Sequence, residues 1–240
     1  MKAMKKLLAL CAILFAVQLS AQESQPLEAG YSRLILSEFT TLDVNAPIHL
    51  TLIRIEPTAT PYIEYNTYGV FDSRFSAEVN RDKCLRISER YDPQRNSVTN
   101  VKLYYNSLSK LRLAKATVEI SGTFICKMLD IEATDGTILS AKLDIFDLML
   151  IISGNSRLHL TGKSLYQSAD VTSSEYDGSE LQTTSTVIEV SHNGIARVNA
   201  HERLEAKSST GGRITYRSEP QILRATKTIF GNDILLETAK

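Results

Sequence analysis

The chain has 240 residues, with 27 basic and 27 acidic side chains and no tryptophan. That length is ample for a sizeable core without disulfide or metal staples. The even charge balance offers no electrostatic footprint for nucleic acid.

The first stretch, MKAMKKLLALCAILFAVQLSAQ, has a basic start at Lys2, Lys5 and Lys6 and an apolar run from Leu7 to Val17. The run is too short to span a bilayer, and Ser20–Ala21 supplies small residues at a cleavage point before Gln22. Residues 1–21 are therefore expected to be a signal peptide. A lipoprotein reading on Cys11 is disfavoured by the bulky Leu10 before it. No other apolar stretch is long enough for a transmembrane segment, so the expected location is exported: periplasm, cell surface or extracellular. Loss of the leader removes three lysines and no acid. Two cysteines remain, Cys84 and Cys126. An oxidising compartment permits a bond between them, while their settings favour two separate buried thiols.

Residues 22–38 give a polar leader and then a first strand in YSRLILSEF. FTTLDVNAPIHLTLIRIE (39–56) predicts two strands around Asn45–Pro47, TPYIEYNTYGVF (60–71) a third, and FSAEVNRDKCLRISE (75–89) a hairpin around Asn80–Lys83. A polar loop (90–100) follows, then VKLYYNSLSKLRLAKATVEIS (101–121). Residues 39–107 are expected to be a β-rich N-terminal layer that caps the first coils, within one domain over 39–240.

From 108 to 240 one pattern recurs: a strand, a small polar turn, a second short strand. Anchors at Leu113, Ile131, Leu150, Ala169, Ile188, Ala206 and Ala225 are separated by 18 or 19 residues. A fixed period of this length means stacked units, since one unit cannot bury its own apolar face. Residues two before and two after each anchor form inward columns, from Leu111 to Leu223 and from Lys115 to Lys227. The end lysines fall where a stack needs polar capping. Nine of the eleven glycines lie between Gly122 and Gly231, roughly one per coil. The expected fold is all-β: a right-handed parallel β-solenoid of about seven 18–19-residue coils, the hand following the usual parallel crossover. Antiparallel hairpins would not keep the inward columns in register.

The order FTTLDVNAPIHLTL, EVNRDKCLRIS, VKLYYNSLSKLRLAKATVEISG and then LIISGNSRL-like coils resembles the putative auto-transporter adhesin, head GIN domain family, a domain of unknown function common in exported Bacteroidetes proteins. The best-matched unit is Ser153–Gly154–Asn155–Ser156; other coils read TDGT (134–137), SSEY (173–176) and HNGI (192–195). The resemblance implies a β-solenoid and an exported location, and no established activity.

Motifs for catalysis are missing: no G-x-S-x-G, and Gly211–Gly212 lacks the strand–helix setting of a phosphate loop. The four histidines have no metal-ligand spacing, with His192 read as a turn residue, and TDGT and YDGS are explained as Asp–Gly turns. No metal and no cofactor is expected. On the outward column one after each anchor stand Asp170, Glu189 and Lys207. Carboxyls about 5 Å apart suit a retaining glycosidase, so Asp170 and Glu189 are the candidate catalytic pair of an alternative enzymatic reading. The plainer account is a solvated charge ladder closed by Lys207. Tyr62, Tyr65, Tyr104 and Tyr105 are candidates for a shallow contact surface, against the alternative that they close the core with hydroxyls at its edge. The leading expectation is a non-catalytic exported protein with a structural, adhesive or ligand-contacting role. Its partners would be a surface glycan or another envelope protein, and solenoid ends could pair two copies.

Overall fold

The computed structural model describes residues 27–69, 73–90, 97–228 and 230–237. The expected signal peptide, Phe71, most of the polar loop and the terminal Lys240 lie outside the described residues. Eight strands precede the long coils: β1 (Ser32–Ile35), β2 (Thr41–Asn45), β3 (Ile48–Arg54), β4 (Tyr62–Asn66), β5 (Phe75–Val79), β6 (Cys84–Glu89), β7 (Thr99–Tyr105) and β8 (Lys110–Ala114). The coils are β9 (Thr117–Thr134), β10 (Ile138–Ile152), β11 (Arg157–Thr172), β12 (Glu175–Ser191) and β13 (Ile195–Ser208). They end in β14 (Arg213–Tyr216), β15 (Ile222–Lys227) and β16 (Ile234–Leu236). No described residue is helical.

The fold is a parallel β-solenoid whose coils each contribute to two walls around one core. The first part of β9 pairs with β3, and its last part pairs with β8. The first wall therefore runs β1-β4-β7-β3-β9 and onward, and the second runs β5-β6-β2-β8-β9 and onward. Two corners per coil join the walls, and they have different causes. One is a tight turn with positive φ, at Asp135–Gly136, Gly154–Asn155, His192–Asn193 and Thr210–Gly211. Successive turns are tied together, as by Asn155 N–H donating to Ser173 O (3.0 Å) and Asn193 N–H to Thr210 O (3.0 Å). The other corner is a slip in alternation. Phe146–Asp147 in β10 and Thr184–Ser185 in β12 put two consecutive residues outside, so the strand changes wall without breaking.

Five of the six anchor steps match the pairing: Ile131, Leu150, Ala169, Ile188, Ala206 and Ala225 stand side by side. The first differs, because Leu111 and not Leu113 pairs with Ile131. That turn places Lys115 at φ 67° without a glycine to mark it, and Lys115 is an exposed turn residue, not an inward one. The inward columns are buried from β9 to β13, with Leu148, Leu204 and Thr186 each fully covered. At β15 every residue is exposed, Lys227 included.

The strands expected before the coils are present, and they extend the stack. β2 pairs in parallel with both β6 and β8, and β3 with both β7 and β9. The β2–β3 segment is thus a rung inserted between rungs that come later in the sequence. Capping falls to the antiparallel strands, β1 on β4 and β5 on β6.

Candidate functional site

Alternation along β7 separates the adjacent tyrosines. Tyr105 points into the core, only 3% exposed, and stacks on Phe124 at 5.9 Å. Tyr104 faces out from the first wall. Its cross-strand partner is Tyr62, and their rings stack at 4.1 Å and 15°. Arg33 of β1 lies 4.8 Å over the Tyr62 ring and bridges to Glu64 at 2.5 Å. The Tyr104 hydroxyl donates to the other Glu64 oxygen at 3.2 Å. Burial, and then the negative charge of Glu64, push the Tyr104 hydroxyl up to about 12. Tyr65 turns inward and stacks on Phe75 at 4.5 Å. The four tyrosines of the sequence reading therefore divide, two forming an outer cluster with Arg33 and Glu64 and two closing the core.

The outer cluster is largely self-satisfied. One face of each ring is taken by its neighbour, and Arg33 covers part of Tyr62. What remains for a ligand is ring edge and the rim of charged groups, including Lys102, which pairs with Glu28 at 2.5 Å.

Asp170 and Glu189 are cross-rung neighbours on the outer surface of the second wall. Lys207 on the next rung donates to Glu189 at 2.7 Å, and Thr172 donates to Asp170 at 3.2 Å. Arg112 and Glu132 pair at 3.7 Å in the same column, separated from Asp170 by the apolar Ile151. The pair of Asp170 and Glu189 stands on an open sheet face, and neither acid lines the broad cleft at the first end of the stack. That cleft, about 660 Å³, lies between the outermost strands β1 and β5, with Leu34, Ile35, Phe75 and Val79 among its walls. A smaller one of about 190 Å³ follows the turns at Asn155, Ser173 and Asn193. Sequence reasoning found neither cleft, since each is made by segments distant along the chain.

His192 sits in its turn at φ 50°. His159 lies 3.8 Å from Asp177, which also accepts from the Ser179 hydroxyl at 2.7 Å. Burial would raise the Asp177 carboxyl, but the Ser179 hydrogen bonds and the charges of Arg197 and His159 hold it below the usual range. The YDGS segment around Asp177 is not a turn. It lies inside β12, where the register against β11 shifts. Among the described residues no three His, Cys, Asp or Glu side chains cluster as metal ligands. Cys84 and Cys126 are free, and burial raises both thiols.

A family model described as putative auto-transporter adhesin, head GIN domain, matches residues 38–220. No curated protein sequence matches the chain. Among solved structures, a putative adhesin from Bacteroides fragilis aligns with TM-score 0.74 at 17% identity, covering 86% of this chain and 95% of that one. A putative adhesin from Parabacteroides distasonis aligns with TM-score 0.68 at 16% identity, over 87% and 96% of the two chains. A putative lipid binding protein from the same species aligns with TM-score 0.66 at 13% identity, again over 87% and 96%. At these identities the likeness speaks for the fold.

Proposed function

This chain belongs to the putative auto-transporter adhesin, head GIN domain family, and from that premise we propose that it is a non-catalytic exported protein of the cell envelope that works by surface contact. The observation that carries this reading is the state of its one candidate catalytic pair. Glu189 is already engaged by Lys207, and it shares an open, solvated sheet face with Asp170. A glycosidase works by setting two carboxyls apart in environment and shielding the reacting bond. Here both acids stand on one exposed face, Glu189 in an ion pair with Lys207 and Asp170 accepting from Thr172. The two walls instead offer rigid, extended outer faces, which suits holding a surface glycan or another envelope protein. The bare last rung, β15, gives a second copy a place to pair.

The test is a glycan-array screen run beside a cleavage assay on the same glycans, for the unaltered chain and for Asp170→Asn. We expect saturable binding, with no cleavage by either protein. Cleavage that disappears in Asp170→Asn would establish the enzymatic alternative and end this reading.

A further inference from the structure

Past its corner, strand β10 is apolar on both of its faces. Leu148, Leu150 and Ile152 fill the core, while Met149 and Ile151 face out from the second wall and Phe146 stands at the corner. Runs like IFDLMLII belong to strands covered on both sides. Here the outer side is bare, with Phe146 54% exposed. The apolar surface also crosses rungs. Tyr166 of β11 meets Phe146 edge-on at 5.4 Å, and Met128 of β9 stands 61% exposed on the other side.

The charges on this wall are not evenly satisfied. Asp130, Glu132, Glu189 and Glu205 each have a lysine or arginine within 4 Å. Asp147 and Asp170 have none among the described residues. Asp147 lies between Met128 and Tyr166 in the stack, and Asp170 lies beside Ile151. These two carboxylates are thus set into the apolar patch itself.

We propose that this face docks a protein partner that presents apolar side chains flanked by lysine or arginine. Apolar area gives the contact its strength, and the two carboxylates select the sign of the partner. A second copy of this chain is a poor occupant, because it would bring the same acids against Asp147 and Asp170. An anionic membrane surface is repelled by them for the same reason. The inference rests on the contact role proposed above and names the surface that performs it.

Fluorescence anisotropy with two labelled peptides of equal length, one alternating Leu–Lys and one alternating Leu–Glu, tests it on the exported protein. The Leu–Lys peptide is expected to bind saturably and to weaken with salt, and the Leu–Glu peptide to fail. Met149→Lys should reduce the binding by about tenfold or more, and Asp147→Asn with Asp170→Asn by about tenfold. All three side chains point outward, and unchanged far-ultraviolet circular dichroism confirms that the variants fold. Equal binding of both peptides, or Leu–Lys binding indifferent to both variants, overturns the proposal. So does a concentration-dependent dimer abolished by Met149→Lys, or retention on phosphatidylglycerol vesicles through the same residue. Loss of the peptide binding with array binding intact sinks only this docking face. Glycan cleavage sinks the contact role beneath it.

Discussion

At Gly162 the backbone adopts φ 100° in the middle of β11, and a Cβ there would lie 2.1 Å from the Leu143 carbonyl oxygen on the rung below. The clash is with backbone, so no side chain can swing aside to relieve it. Gly162→Ala should therefore cost about 2–4 kcal/mol in urea denaturation. Gly122 has a similar positive φ, 75°, but nothing within 4 Å of its would-be Cβ. Gly122→Ala should cost only the left-handed penalty, about 1–2 kcal/mol. Equal losses at the two sites would remove the steric account. Composition marks both glycines as turn formers, and only the packing tells them apart. The adjacent tyrosines teach the opposite lesson. Period-2 alternation alone separates Tyr104 from Tyr105, so their division between surface and core was legible in LYYN. The ring stack of Tyr62 on Tyr104 was not, because it depends on the antiparallel pairing of β4 with β7.

Along a single rung, the inward columns change character at β11. Where β10 has Leu148, β11 and β12 place Gln167 and Thr186, both buried. Their polar atoms are met inside the core: Gln167 donates to the Tyr176 hydroxyl at 2.5 Å, and Thr186 donates to the Gln167 oxygen at 3.2 Å. Removing one partner leaves a buried group without its bond, which costs more than removing both. Tyr176→Phe should lower stability by about 1–3 kcal/mol, and Gln167→Leu added to it should recover part of that loss. Additive losses in the double variant, measured by denaturant unfolding, would show that these bonds are incidental to the packing. The period placed Gln167 and Thr186 correctly in the inward column, but it carried no sign of Tyr176 as their partner. The period also misaligned the first coil by two residues. Its turn at Lys115 lacks the glycine that marks most of the others, so the count had nothing to lock onto. The outward apolar residues of β10 were visible as a run in the sequence. Their meaning emerged only once the inward set was known.

The molecule as a whole is a line of rungs, each stabilised mainly by its two neighbours. Its ends should therefore open before its middle. β15 hydrogen-bonds to β13 alone and is exposed along its whole length, whereas β11 is held by β10 and β12 over nearly all of its residues. Amide hydrogen exchange should be slowest in β10–β12 and fastest in β15 and β16, with uniform protection counting against a neighbour-by-neighbour assembly. The coils from β9 onward were legible from the spacing because their order in space is their order in the chain. The first half was not, since its rungs are interleaved. That interleaving also sets a timetable for synthesis. The apolar segment LDVNAPIHLTLIR, from Leu42 to Arg54, leaves the ribosome before any of its four neighbours exists, because β6, β7, β8 and β9 all lie downstream. At ordinary translation speeds the slot that receives it is completed on the order of ten seconds later. For that interval this apolar stretch has no native place to go, and whatever escorts the nascent chain must shield it until residues 117–120 have appeared.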